Sequence, residues 1–274
     1  MKSVDFEKTL GIISLLGLLP MLVVGLSIFL LHNFFIAMFL MHWVSMVPIV
    51  LMYTWLRQGS SGLLWYSAYL KSQDYRSIIG IPSLFLLAGT MGVIVAYILS
   101  TCRFHDWRLC VGRIDSTLAE YGFENMSKAQ IIMSAVYFCI MNPIIEELFW
   151  RVFMHREIDF FYESVEADVE QVTIIERSSS NTDNTSRRIQ WPVLLLLSVL
   201  FSSYHTLVIG VFLGGVAYGI LAFFIIGVLG LIFQQILLGS PPDKGFYRIL
   251  FLHVGIDLGI ILSLGDAIGW YNLI

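Results

Sequence analysis

The chain has 274 residues, of which 57% are hydrophobic and only 13% are charged. A soluble domain carries about 25% charged residues, so this composition, with a mean hydropathy of +0.79, excludes an ordinary soluble enzyme and a disordered chain. The net charge of −4 gives no excess of positive charge that would attract nucleic acid. Three cysteines cannot form a disulfide framework. We therefore expect a membrane protein that has lipids, and no nucleic acid, among its partners.

A membrane-spanning helix needs roughly 20 apolar residues. Seven stretches are candidates: Leu10–Leu31, Phe34–Leu56, Ile78–Leu99, Ile131–His155, Trp191–Val208, Val211–Leu238 and Ile249–Leu264. The sixth is long enough to tilt strongly or to break at Gly227 or Gly230, and an eighth, short element is possible at Asp266–Ile274. The runs do not alternate with a period of two, which excludes a β-barrel. The sequence predicts an all-α, polytopic membrane helix bundle of seven to eight transmembrane helices, which forms a single transmembrane domain over residues 1–274.

The basic residues between the spans predict the orientation. Eleven fall on one side, namely Lys2, Lys8, Arg57, Lys71, Arg76, Arg156, Arg177, Arg187, Arg188, Lys244 and Arg248, whereas the opposite side has four, all within Arg103–Lys128. Because cytoplasmic loops are enriched in Lys and Arg, we expect a cytoplasmic N-terminus, in a bacterial cell membrane rather than the endoplasmic reticulum. We also expect Leu10–Leu31 to be a retained helix and not a cleaved signal peptide.

The largest polar segment is 156–190. It is acidic in its first half and rich in Ser, Asn and Thr in its second, which predicts a solvated, flexible cytoplasmic loop, with a substrate-gating role as the alternative. Cys102 and Cys110 fall in the loop that is predicted to lie outside, as two free thiols or a disulfide. Cys139 lies within a span, and we interpret it as a packing residue.

Ionisable residues inside a span cost several kcal/mol and usually mark function or a buried partner. The fourth span contains Glu146, Glu147 and Arg151, the fifth contains His205, and the seventh contains His253 and Asp257. His42 stands alone in the second span, so we interpret it as a helix-packing or interface residue.

The fourth span gives its two carboxylates different roles. Glu147 and Arg151 are four residues apart, in the order that favours a helical ion pair. Glu146 is rotated by about 100° and cannot use the same face, so it stays an unpaired carboxylate in a low-dielectric place, which suits a general base or acid. Pro143 would kink the helix one turn earlier. The alternative is a purely structural knot of the three charged residues.

Two further helical pairs carry imidazoles. Phe201 and His205 are one turn apart in the fifth span, and His253 and Asp257 are one turn apart in the seventh. A carboxylate beside an imidazole can fix its tautomer. The hydroxyl of Tyr204 is a possible extra hydrogen-bond donor.

The order Glu-Glu-x-x-x-Arg, Phe-x-x-x-His and His-x-x-x-Asn/Asp on three membrane helices resembles the CPBP family, which comprises CAAX prenyl proteases of the Ras-converting type and bacteriocin-processing and immunity (ABI) proteins. The resemblance covers roughly Ile131–Leu264, which would form the catalytic core helices. Asp257 stands where the prenyl-protease branch has Asn.

The resemblance implies an eight-helix intramembrane endopeptidase that acts on a membrane-associated peptide or protein. It implies that Glu146 activates a water with help from His205, and that His253 and Asp257 stabilise the oxyanion or position the water. Glu147 and Arg151 would complete the catalytic set, and Phe201 and Tyr204 would lie at the substrate.

Cofactor use and the reaction itself stay open at the sequence level. One glutamate and two histidines could hold zinc, but we favour a metal-free site. One alternative function is a non-proteolytic membrane protein of the same fold, such as an immunity factor or a regulator of a sensor. The other is a transporter with Glu146 and His205 as a proton relay.

Overall fold

The computed structural model of the chain describes residues 3–73, 80–103, 120–121, 126–158, 191–212, 215–241 and 244–267. These residues form helices and turns and contain no strand. The helices are α1 (Ser3–Leu31), α2 (Phe34–Ser72), α3 (Ile81–Arg103), α4 (Lys128–Ile158), α5 (Trp191–Phe212), α6 (Val216–Gly239) and α7 (Gly245–Ala267). The predicted all-α, polytopic bundle is confirmed.

Six of these helices are long and apolar enough to cross a membrane, and α3 contributes a shorter apolar stretch, Pro82–Tyr97. The prediction that the sixth span could break at Gly227 or Gly230 is wrong, because α6 runs without interruption from Val216 to Gly239. Gly230 instead packs closely on α5, since a Cβ there would lie 3.2 Å from Phe201. The predictions for 159–190, Cys110 and the side chain of Cys102 fall outside the described residues. So does 268–274 of the predicted eighth element, whose first two residues, Asp266 and Ala267, belong to α7.

The second helix has a kink at Gly59. We placed its end at Leu56, and a further helical segment continues to Ser72 beyond Gly59, whose φ of +64° is not helical. A side chain at this positive φ would be strained, so glycine suits the bend. Two π-helical segments, Met41–Met46 and Ile49–Tyr53, lie earlier in the same helix.

The fourth helix also departs from regular α geometry. π-Helical segments at Tyr137–Met141 and Leu148–Phe153 flank the α-helical turn Asn142–Glu147. Pro143 cannot donate a backbone hydrogen bond, and a wider turn before it accommodates the missing bond. The two glutamates therefore lie on a short α-helical piece between two wider turns.

Polar contacts tie α2 to α4 near both ends of their interface. At one end, Tyr137 contacts His42 through a 2.8 Å hydrogen bond. At the other, the guanidinium of Arg57 donates to Glu157. Arg156 donates to Gln58, and its guanidinium carbon lies 4.1 Å from the ring centre of Trp65.

The packing of α3 on α7 depends on small residues. A Cβ on Gly255 would lie 2.2 Å from the carbonyl oxygen of Leu86, and one on Gly89 would lie 2.6 Å from that of Leu252. Small residues let membrane helices approach until their backbones touch. This contact fixes α7, which carries His253 and Asp257, against α3.

We predict that Gly255→Ala will lower the free energy of unfolding by about 1–3 kcal/mol, because the added methyl group meets backbone that cannot move aside. The measurement is thermal unfolding of the full chain in detergent. Gly92→Ala is the matched control, because a Cβ at this position on α3 meets nothing within 4 Å. Equal melting temperatures for the two variants would contradict the close packing.

Candidate active site

The predicted site residues converge around the middle of α4. The side chains of Glu146, Glu147 and Arg151 are buried there, with exposures of 2% or less. α2 contributes His42, α5 contributes Phe201, Tyr204 and His205, and α7 contributes His253 and Asp257. Of these residues, His205 is the one that is only partly buried, so the cluster is most accessible on the α5 side.

Arg151 is a buried cation that one carboxylate and two aromatic rings hold in place. Its Nε lies 3.6 Å from Oε2 of Glu147, which is the predicted helical ion pair. The guanidinium carbon lies 4.4 Å from the ring centre of Phe201 and 5.4 Å from that of Phe233. A desolvated cation is attracted to such ring faces by about 2 kcal/mol. Phe201 is thus covered by Arg151 and contributes chiefly to the wall of the site.

His253 joins three carboxylates. Its Nδ1 lies 2.8 Å from Oε1 of Glu147, and since a carboxylate only accepts, this nitrogen donates. Its Nε2 lies 3.7 Å from Oε2 of Glu146 and 3.9 Å from Oδ1 of Asp257. The contact with Glu147 fixes the ring orientation and directs Nε2 toward the other two carboxylates.

Glu146 is placed differently from Glu147. Its neighbours are imidazoles: Oε1 lies 4.0 Å from Nε2 of His42, and Oε2 faces His253. Within the described part of the chain, Oε2 is buried without a hydrogen-bond partner. The carboxylate also interacts electrostatically with His205. The sequence reasoning left Glu146 unpaired, whereas the fold places imidazoles of α2 and α7 beside it.

The two α5 residues next to Glu146 differ in their hydrogen bonds. His205 Nδ1 lies 2.9 Å from the carbonyl oxygen of Phe201, which can only accept, so Nδ1 donates and Nε2 stays available. The hydroxyl of Tyr204 is buried beside the Glu146 carboxylate and interacts with it. It is therefore a further donor at the site.

Asp257 has a partner that the sequence reasoning did not predict. The side-chain amide of Asn142 donates to Oδ2 of Asp257 over 3.0 Å, and both residues are buried. Asn142 precedes Glu146 by about one helical turn, and this spacing could have indicated that its side chain lies at the site. The interpretation of His42 as solitary is wrong, because the fold brings it to Glu146; its distance along the chain hid this contact. Cys139 is buried and free, as expected of a packing residue.

Zinc would need three or more protein ligands that converge at about 2.0–2.2 Å from one point. The described residues contain no group of three His, Cys, Asp or Glu side chains arranged in this way. The donor set in this arrangement therefore does not fit zinc.

The arrangement has the parts that hydrolysis requires. A carboxylate with an unused oxygen can take a proton from water, and donors can meet a developing oxyanion. Burial among helices strengthens these interactions, because the surroundings have a low dielectric constant.

Residues 128–258 match the family model described as type II CAAX prenyl endopeptidase, Rce1-like. The match covers just under half of the chain and includes α4, α5, α6 and most of α7. The family resemblance inferred from the motifs is confirmed by this match. Comparisons with curated proteins and with solved structures give no match.

The family implies a protease and suggests a CAAX-type intramembrane endopeptidase. Together with six helices that are long and apolar enough to cross a bilayer, it identifies an integral membrane protein.

Proposed function

We propose that this protein is an intramembrane endopeptidase in which Glu146 activates a water for attack on a peptide bond of a membrane-associated substrate. The observation that carries the proposal is the Glu146 carboxylate itself. It is buried, one of its oxygens has no hydrogen-bond partner among the described residues, and imidazoles from α2, α5 and α7 surround it. A purely structural knot would not need to leave that oxygen unused.

In the proposed reaction, Glu146 takes a proton from water as the water oxygen bonds to the peptide carbonyl carbon. His205 assists by accepting a hydrogen bond from this water at Nε2, since its Nδ1 is held by Phe201. The tetrahedral intermediate then breaks its carbon–nitrogen bond, and the protonated Glu146 returns the proton to the leaving amine.

The oxyanion of that intermediate needs donors. His253 supplies one at Nε2 when its ring is doubly protonated, and the Tyr204 hydroxyl supplies another. Asp257 holds His253 from one side, while Glu147 holds it from the other. Arg151 keeps Glu147 in place and, on this proposal, acts through that carboxylate.

We predict that Glu146→Gln will lower the cleavage rate by at least about 100-fold, because the amide cannot accept the proton that the base must take. The assay uses purified full chain in detergent with two fluorogenic peptides, one with a prenylated C-terminal cysteine and one unmodified apolar peptide. Glu120→Gln, the same change at an exposed position, should cleave like the wild type. We expect 1,10-phenanthroline to leave the rate unchanged.

Cleavage by Glu146→Gln at the wild-type rate would remove Glu146 as the base. If Glu146→Gln with His205→Ala kept full activity in cells, the protein would be a non-proteolytic regulator or immunity factor. Proton-coupled flux in liposomes would identify a transporter instead. Loss of activity with the chelator would show a metal-dependent reaction.

We predict that Asp257→Asn will cleave within about tenfold of the wild-type rate, whereas Asp257→Ala will lose about 100-fold or more. The Asn oxygen can still accept from Asn142, and its amide adds a donor beside His253. The matched pair is measured in the same assay as kcat. If Asp257→Asn were as inactive as Asp257→Ala, the site would need a carboxylate at this position.

We further propose that the N-terminus and the segment 156–190 face the cytoplasm of a bacterial cell. The unequal distribution of Lys and Arg between the two sides supports this orientation.

In a variant without Cys102 and Cys110, we predict that Ser116→Cys reacts with a membrane-impermeant maleimide in intact cells. Ser180→Cys should react only after the cells are opened, because it lies in the segment proposed to be cytoplasmic. The extent of labelling is read on gels. The reverse pattern would invert the proposed orientation.

A further inference from the structure

We infer that His42 is a positioning residue that orients the Glu146 carboxylate, and that Tyr137 and Trp43 set the His42 tautomer for this task. The inference rests on the proposed function, in which Glu146 is the base. It extends the site to α2, which lies outside the residues 128–258 that match the family.

The first observation is the location of His42. Its side chain has 0% exposure, and its Nε2 lies 4.0 Å from Oε1 of Glu146, whose side chain is 2% exposed. Within the described structure this nitrogen has no hydrogen-bond partner. A buried N–H without a partner is costly, and the group that it faces is the carboxylate. At 4.0 Å the contact is longer than a direct hydrogen bond, so a small rotation of Glu146 would complete it.

The second observation is the hydrogen-bond chain behind the ring. The indole N–H of Trp43, which can only donate, lies 3.1 Å from the hydroxyl oxygen of Tyr137. That oxygen lies 2.8 Å from Nδ1 of His42. Because Trp43 occupies an acceptor position on the phenol oxygen, the phenol hydrogen is free to point at Nδ1. A neutral imidazole that accepts at Nδ1 carries its hydrogen at Nε2, which is the nitrogen that faces Glu146.

The third observation is the local helix geometry. His42 lies in the π-helical segment Met41–Met46, and Tyr137 begins the π-helical segment Tyr137–Met141. A π-helical turn shifts the direction of the side chains that follow relative to a regular α-helix, and such turns are frequent at functional sites. His42 and Tyr137 therefore both lie on wider turns, on two helices that face each other.

Together these contacts assign one oxygen of Glu146 to His42 and leave the other, Oε2, toward His253 and the substrate. The remaining groups that face Glu146 are His205 and Tyr204 of α5. A carboxylate that is held through one oxygen presents the other in one direction, and orientation of a base within a fraction of an ångström is a large part of its effectiveness.

The test measures kcat and KM for cleavage of a peptide that the wild type cleaves. The variants are His42→Ala, His42→Gln and Tyr137→Phe. His42→Ala should lower kcat by about tenfold to 100-fold, the size expected when a catalytic group is misplaced by about 1 Å, with KM within twofold. His42→Gln should recover most of kcat, because its amide can place an N–H near the position of Nε2. Tyr137→Phe should fall between His42→Ala and the wild type.

A second measurement does not depend on activity. Nitrogen-15 NMR of the histidine-labelled full chain should show a neutral His42 ring that is protonated at Nε2, with the signal identified by its absence in His42→Gln. Tyr137→Phe should change this tautomer. A ring protonated at Nδ1 in the wild type would overturn the inference.

Wild-type kcat in His42→Ala would also overturn it, as would equal losses in His42→Ala and His42→Gln, which would show a packing role. Glu146→Gln is run alongside to separate the two claims. If Glu146→Gln is inactive while His42→Ala cleaves normally, only the inference about His42 fails. If Glu146→Gln cleaves normally, the proposed function fails. The NMR tautomer then still shows whether the hydrogen bonds from Trp43 through Tyr137 to His42 are formed.

Discussion

The candidate site contains three buried carboxylates, and the surrounding side chains offset the hydration that these groups have lost. Each buried ion costs several kcal/mol unless an opposite charge or a set of hydrogen bonds offsets the lost hydration. Arg151 and His253 contact Glu147, and Asn142 and His253 contact Asp257. Imidazoles and the Tyr204 hydroxyl face Glu146. Glu147 and Asp257 are thus held by their partners, whereas Oε2 of Glu146 has no hydrogen-bond partner among the described residues. On the proposed function, this difference distinguishes the base from its supports.

The geometry of α4 also distinguishes Glu147 from Glu146. On α4, the turn that carries both glutamates is α-helical, and wider turns precede and follow it. Glu147 ends this turn and pairs with Arg151, which lies in the wider turn that follows, while Glu146 faces α2 and α7. The ring of Phe201 lies against Arg151 and near His253, with ring centres 6.3 Å apart for the latter pair. Aromatic packing thus positions the charged groups at the level of the site.

The sequence predicted those features that depend on local spacing. Apolar runs located the spans, and the four-residue spacing of Glu147 and Arg151 predicted their ion pair. His42 was misjudged, because its contact with Glu146 joins residues about a hundred positions apart and no local pattern records it. The helical segment that follows the kink at Gly59 was also missed, since a glycine between two helical segments does not indicate whether a helix resumes after it. The π-helical turns were also not predicted, because the apolar spacing that locates a span does not distinguish a π-helical turn from an α-helical one.

The fastening of α2 to α4 limits how a polypeptide could reach Glu146. His42 holds Tyr137 at one end of this interface, and Arg57 holds Glu157 at the other, with Arg156 and Trp65 in contact nearby. A gap that opened laterally between these two helices would have to break contacts at both ends together.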